Sequence, residues 1–430
     1  MFIGEPYSRL KIFLLLFISQ FGGICVDFDI IILSVSRTIC ANNSLDWIFT
    51  AFILMFLKSK SDRGVILVID SGTTAMLASL VAARYPVSNI ILEKKDGIDM
   101  LHDYEKAALF IFTALRSIDS IVLHVPSPYY LYNQSDKFYV KVKKLWTFRS
   151  SVLSKSTLPD GHKYLGPMTS SVMQCSTSRE REYLDHGLGE PAFRASCLNR
   201  RGFHKALLMA KSVYKQLLKS IFRIPFCDLS LSKCHALCLL KGDNSEFYDF
   251  RDLVVSSEFK DILSSIKEQF FSKRKPILLL AVGNIHTEKG LPVYSQEYDA
   301  VNLSIILKHV APTDFVVTKF HGSLYAAGKS PDSELQNLLA ESGYDSIDID
   351  ACLPDFLKGH VPAEVLAKEL CFSKVLCCGS ATVFNMAHVH NIELISDLSG
   401  YSSNPSLHSK IVDVVNLVNP RLSSNVRIDL

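Results

Sequence analysis

The sequence predicts an α/β protein of two halves, each a parallel sheet wrapped by helices. Three observations carry this reading. Short unbroken aliphatic runs recur along the chain, polar turns rich in Gly, Ser and Thr follow several of them directly, and helix-forming stretches separate one run from the next. Runs of that kind suit strands buried on both faces, the usual state of a strand in a parallel sheet. At 430 residues the chain can supply two such units, each with its own core.

Residues 1–63 read as an apolar N-terminal extension. Arg9 and Lys11 precede an uncharged run from Ile12 to Val26, and a second apolar run covers Trp47 to Leu57. Each is shorter than the roughly 20 residues that span a bilayer. The first has the basic flank of a signal peptide or short anchor, without a clear small-residue cleavage site after it. The expectation is a membrane-associated protein, at the cytoplasmic face of a bacterial inner membrane or in the secretory pathway. Burial of these runs as ordinary helices or strands is the alternative.

The first half spans residues 64–205. Gly64 to Ile69 is a strand, Asp70-Ser71-Gly72-Thr73-Thr74 a turn, Ala75 to Arg84 a helix and Asn89 to Leu92 a second strand, with Ser120 to Val125 as a third. Strand, polar turn, helix, strand is a βαβ unit, and its crossover fixes a parallel, Rossmann-like start. Residues 206–275 show many helix formers and basic residues, and predict a helical connector. The second half spans 276–430: Ile277 to Val282 is a strand, Tyr298 to Val310 a helix, Asp314 to Lys319 a strand, Pro362 to Leu370 a helix, Lys374 to Cys378 a strand and Asn391 to Ile395 another.

Composition names no partner. The 46 Lys and Arg against 43 Asp and Glu leave a net charge of +3, too little for a field that would gather nucleic acid. The 11 cysteines are scattered through a chain too large to need disulfide staples, and read as small buried apolar residues. Cys234, His235 and Cys238 invite a metal reading, but structural zinc takes four ligands in paired spacings and no second pair lies at a suitable distance. We expect no metal, and a short apolar helix over Ala236 to Leu240. Val68 to Thr74 looks like an aspartic-protease loop, yet such enzymes need two, so that two carboxylates share a proton, and this chain has no second copy.

The residues that point to chemistry lie at strand ends. Lys319-Phe320-His321-Gly322 closes one predicted strand, Pro362-Ala363-Glu364 opens a helix, and Gly379-Ser380-Ala381-Thr382 follows the next strand. Ligands of open parallel sheets bind outside the C-terminal strand ends, so these segments can share one crevice. A Gly-Ser turn entering a helix, here Thr382 to Ala387, offers N–H groups and hydroxyls to a phosphate. A carboxylate such as Glu364 can accept from ribose hydroxyls, and a histidine can protonate a leaving phosphate. Lone histidines such as His309, His388 and His390 read instead as packed or surface residues.

This order of motifs resembles the bacterial sialyltransferases and capsular polysialyltransferases, which carry a Lys-Pro-His-Pro type motif, a Pro-x-Glu segment and a paired Ser/Thr motif. The resemblance implies the GT-B architecture, two Rossmann-like domains facing a cleft. It also implies metal-independent transfer of sialic acid from CMP-sialic acid to a glycan hydroxyl, with inversion. On this resemblance His321 is the general acid, Lys319 an electrostatic aid, Glu364 the ribose partner, and Ser380 and Thr382 the phosphate contacts, with Gly283 a further substrate-binding residue. The family's acidic motif falls on Asp185, in Leu184-Asp185-His186-Gly187, as the base. Phe320 and Gly322 stand where the family has prolines, and His186 where it has a second acid. The expected partners are a nucleotide-sugar donor and a glycan acceptor, with no further cofactor and no nucleic acid. Two alternatives stay open: a relative that binds nucleotide or glycan without turnover, and a GT-B enzyme using another nucleotide sugar.

Overall fold

The predicted strands fall into two parallel sheets of matching topology in the computed structural model of the chain. It describes residues 64–96, 104–118, 122–128, 138–148, 162–168, 170–175, 180–185, 189–199, 233–271, 276–281, 286–288, 291–293, 297–322, 324–325, 333–399, 405–418 and 426–429, with single positions 150, 187 and 331. The apolar runs before residue 58, His186 and Gly283 lie outside the described residues. No described helix is long and apolar enough to cross a membrane.

The first sheet contains β1 (Val65–Ile69), β2 (Val87–Asp96), β3 (Val122–Pro128), β4 (Lys163–Pro167), β5 (Arg181–Leu184), β6 (Cys234–Ala236) and β7 (Glu246–Phe247), in the order β3-β2-β1-β4-β5-β6-β7. The second contains β8 (Pro276–Leu280), β11 (Phe315–Lys319), β12 (Asp345–Asp348), β13 (Lys374–Cys377), β14 (Glu393–Asp397) and β15 (Val426–Asp429), in the order β12-β11-β8-β13-β14-β15. Between β8 and β11 lies a separate antiparallel hairpin, β9 (His286–Glu288) with β10 (Leu291–Val293). With the hairpin set aside, both sheets follow the doubly wound order 3-2-1-4-5-6, the first with one extra edge strand. The order therefore reverses beside β1 and β4 in one sheet, and beside β8 and β13 in the other.

Burial explains why the aliphatic runs become strands. All five residues of β1, β8 and β11 are buried. Along β8 the side chains divide by alternation: Leu278 and Leu280 enter one hydrophobic cluster, Ile277 and Leu279 a second on the opposite face. The first cluster is continuous across both sheets, joining Leu67 and Ile69 to Met76 and Leu80 of the helix Gly72–Ala82, and on to Val317, Val365 and Leu366. Residues 64–430 form one compact unit around it. At roughly 1.5–3 kcal/mol for each fully buried aliphatic side chain, this shared cluster is the main attraction between the sheets.

Two sequence expectations need correction. The stretch 206–275 is not strand-free: β6 and β7 add to the first sheet, while the helix Ser257–Phe271 follows them. Ala236 to Leu240 is not a helix, because Cys234–Ala236 pairs with β5 and Leu240 bridges to Val418. These strands are two or three residues long, too short to show a period, and their formation depends on the sheet edge offered by β5. Asn302, the first residue of a glycosylation triplet, is fully buried, so that triplet is closed to modification in the fold.

Candidate functional site

The end of β1, at the reversal point of the first sheet, and the end of β11, one strand from the reversal point of the second, meet on one short segment, Gly359-His360. Asp70, Ser71 and Gly72 follow β1, where Ser71 caps the Gly72–Ala82 helix in a capping box with Thr74. The Thr74 hydroxyl also donates to Asp70 Oδ1 at 3.0 Å. Asp70 thus serves a strand-to-helix turn in a parallel sheet, which is no setting for a protease dyad. A Cβ added to Gly72 would run into the carbonyl oxygen of His360. On the other sheet, a Cβ on Gly322 would run into the Gly359 carbonyl, and one on Gly359 would lie 2.7 Å from the Gly322 oxygen. Backbone therefore packs on backbone at both places, and Gly359 also sits at φ +73°.

This contact gives a physical reason for Gly322 in the position where the resembling family has proline. The chain between Gly359 and His360 passes too close to Gly322 for a pyrrolidine ring. Phe320, in the other proline position, is buried in the outer cluster with Tyr325 and Leu324. His321 lies between them, immediately after β11, and is exposed.

Lys319 is not a loose charge. It is buried, and its Nζ lies 2.9 Å from Asp350 Oδ2. The other oxygen of Asp350 accepts from the Gly359 N–H at 2.8 Å. Asp348, next to this pair, receives the Tyr325 hydroxyl at 2.9 Å and the Asp350 N–H at 3.1 Å. Burial first, and then the charge of Asp350, push the Asp348 carboxyl up to about 6. Lys319 and Asp350 thereby hold the Gly359 loop against Gly322, a role that sequence reasoning missed because Asp350 lies 31 residues from its partner.

Glu364 is buried in the first turn of the helix Ala363–Leu370 and accepts from Asn385 Nδ2 at 2.8 Å. Asn385 ends the short helix Ala381–Asn385, which Ser380 caps by accepting from the Thr382 N–H at 3.3 Å. Gly379, at φ +73°, donates its N–H to Ser396 Oγ at 3.1 Å. Ser380 and Thr382 are half-buried at the end of β13, the reversal point of the second sheet. Glu364 is thus tied to the helix that Ser380 caps, through Asn385, while Gly322, next to His321, packs on Gly359 of the same 357–364 segment, and Asn385 is a partner the sequence did not announce.

Asp185 follows β5 and is buried in a different pocket. Its Oδ2 lies 2.6 Å from Arg194 Nη2 and its Oδ1 accepts from the Cys234 thiol at 3.4 Å. Arg194 also binds Asp243, Ser245 Oγ at 2.8 Å and the Cys238 carbonyl at 3.1 Å. Burial raises the Asp185 carboxyl above the ordinary carboxylate range, and Arg194 opposes that rise. Burial likewise pushes the Cys234 thiol well up, so it sits there as a neutral donor. Arg194 belongs to the helix Gly189–Asn199, whose Ala192 and Ala195 pack in one cluster with Phe384 and Ala387. The acidic pocket therefore abuts the back of the Ser380 segment.

The neighbouring histidine, His235, is fully buried between Glu182 Oε2 at 2.7 Å and the Tyr248 hydroxyl at 2.9 Å, a saturated core position. His388, also buried, bonds Asp249 at 2.8 Å. Among the described residues one trio has metal-binding proximity, His309, Asp397 and Asp429. There Lys308 Nζ already lies 2.8 Å from Asp397 and 3.3 Å from Asp429, supplying the cation itself. No family model matches the sequence, and no curated protein is similar to it.

Proposed function

We propose that the chain is a GT-B-type glycosyltransferase that moves sialic acid from CMP-sialic acid to a glycan hydroxyl, with inversion. One observation carries the reading: the end of β1, at the reversal point of the first sheet, and the end of β11, one strand from the reversal point of the second, abut a single segment, Gly359-His360, flanked by His321 and Glu364. Ligands of such sheets bind at those points, and a two-substrate transfer needs groups from both sides. In this reading His321 protonates the departing phosphate, Ser380 and Thr382 hold it, and Glu364 meets the ribose. Lys319 acts through Asp350 and the Gly359 loop. Asp185 accepts the acceptor's proton, and its burial moves its pKa in the direction a base near neutral pH needs.

A second reading is favoured by one feature. Asp185 is already met by Arg194, so the chain could bind donor without turning it over. Two measurements decide. His321→Ala and Asp185→Ala are each expected to lower CMP release from CMP-sialic acid by about 10²–10⁴-fold, with folding checked by circular dichroism. Near-normal turnover in either variant removes that residue's role. Calorimetric binding of CMP by a wild type that shows no turnover supports the binding-only reading, and absence of CMP binding removes the donor.

A further inference from the structure

The Gly359 segment carries a histidine of its own, and its placement is as constrained as that of His321. Gly322 and Gly359 pack backbone on backbone, so the residue before one glycine, His321, and the residue after the other, His360, are held as neighbours. The His360 carbonyl in turn rests against Gly72, the first residue of the helix that follows β1. His360 thus lies at the seam where the strand ends of both sheets meet, whereas His321 belongs to the second sheet alone. It is half-buried.

The placement is not accidental to a mobile loop. The Gly359 N–H is fixed at 2.8 Å by Asp350, which is fully buried and paired with Lys319 at 2.9 Å. The His360 N–H is fixed at 3.0 Å by the Leu357 carbonyl. Two histidines whose backbones are packed together at the strand ends of a doubly wound sheet suit a phosphate-bearing ligand, to which an imidazole N–H can donate.

We propose that His360 is a second histidine of the binding site, donating to the same ligand phosphate as His321. The proposal rests on the functional reading above only for the location of the phosphate, and does not depend on the sugar or base.

The test is calorimetric titration of the full chain with CMP, UMP, AMP, inorganic phosphate and cytidine, for wild type, His360→Ala, His360→Gln and, as a remote control, His390→Ala. His390 is exposed, which makes it a suitable control. The expected result is that His360→Ala weakens the phosphate-bearing ligands by about ten- to hundredfold, the loss of one hydrogen bond to a charged group. Cytidine binding and the control should not change, and His360→Gln, which keeps a donor, should recover part of the loss. Affinity in His360→Ala within twofold of wild type overturns the proposal. If His360→Ala does not fold, the assigned His360 ring resonance of the wild type decides: it should move with CMP and not with cytidine, and a still resonance overturns the proposal. UMP or AMP binding that needs His360, with no CMP binding, sinks the CMP-sialic acid reading and leaves His360 in place. CMP binding indifferent to His360 does the reverse, and a wild type that binds no phosphate-bearing probe overturns both.

Discussion

Two buried ion pairs lie behind the candidate site, and they are built differently. Lys319 and Asp350 form a closed unit: one carboxylate oxygen meets the ammonium, the other a backbone N–H of Gly359. Asp185 and Arg194 form an open one, in which the guanidinium is divided between Asp185 and Asp243 and the second oxygen of Asp185 has only a thiol at 3.4 Å. A charge satisfied by a cation and a peptide N–H is scaffold. A charge satisfied by a shared arginine and a weak S–H donor is more easily released for chemistry, since less is lost when its proton state changes. The comparison assigns Lys319 to positioning and leaves Asp185 as the carboxylate with chemical freedom.

The largest expected effect is at the closed pair. Asp350→Ala leaves Lys319 buried without its counter-charge and frees the Gly359 loop, which should cost about 3–5 kcal/mol of stability. Replacing both partners together, Lys319→Met with Asp350→Leu, should cost much less, because the uncompensated charge is gone. Denaturant unfolding of the single and double variants checks this. Equal losses in both would show that the pair is not the unit the geometry describes.

Next in size is the backbone contact that the closed pair holds. Gly322→Ala places a methyl group against the Gly359 carbonyl, and the backbone must shift, at about 1–3 kcal/mol. Introducing the proline that the resembling family carries, with Gly322→Pro, should do more harm than alanine. Thermal unfolding of both variants ranks them. A proline variant as stable as wild type would break the packing argument for Gly322.

Much of this architecture was legible because its signals are local. Val65–Ile69, Pro276–Leu280 and Phe315–Lys319 are aliphatic runs that state their own burial, and the Gly-Ser turn before Thr382 states its own cap. Strands with mixed composition were not legible. Lys163–Pro167, Arg181–Leu184 and Asp345–Asp348 become strands by pairing with neighbours already in place, a tertiary effect with no periodic trace. The same division runs through the site. His321, Glu364 and Ser380 stand at recognisable strand and helix ends, but the partners that fix them, Asp350, Gly359 and Asn385, are defined only by folding. Arg194 was hidden for the same reason: nothing in its local sequence shows that it will neutralise Asp185.

The smallest expected effect lies in the pH dependence of stability. Asp348, beside the closed pair, sits at about 6 against an ordinary 3.8, so between these values the folded protein holds a proton that the unfolded chain has released. Stability from this group is therefore present below about pH 4, declines as pH rises towards 6, and is flat above. Asp249 and Glu246, held at about 2, have the opposite sign, and their contribution is lost only below about pH 4. Asp348→Asn should remove the Asp348 decline, so the melting temperature of the variant relative to wild type should rise between pH 4 and pH 6. Asp185 is also raised, and Asp185→Asn should show a change of the same sign as its own group stops titrating. Thermal unfolding at pH 4, 5, 6 and 7 for wild type and both variants reads this directly. If Asp348→Asn tracks wild type at every pH, the carboxylate beside the closed pair does not keep its proton above the ordinary range.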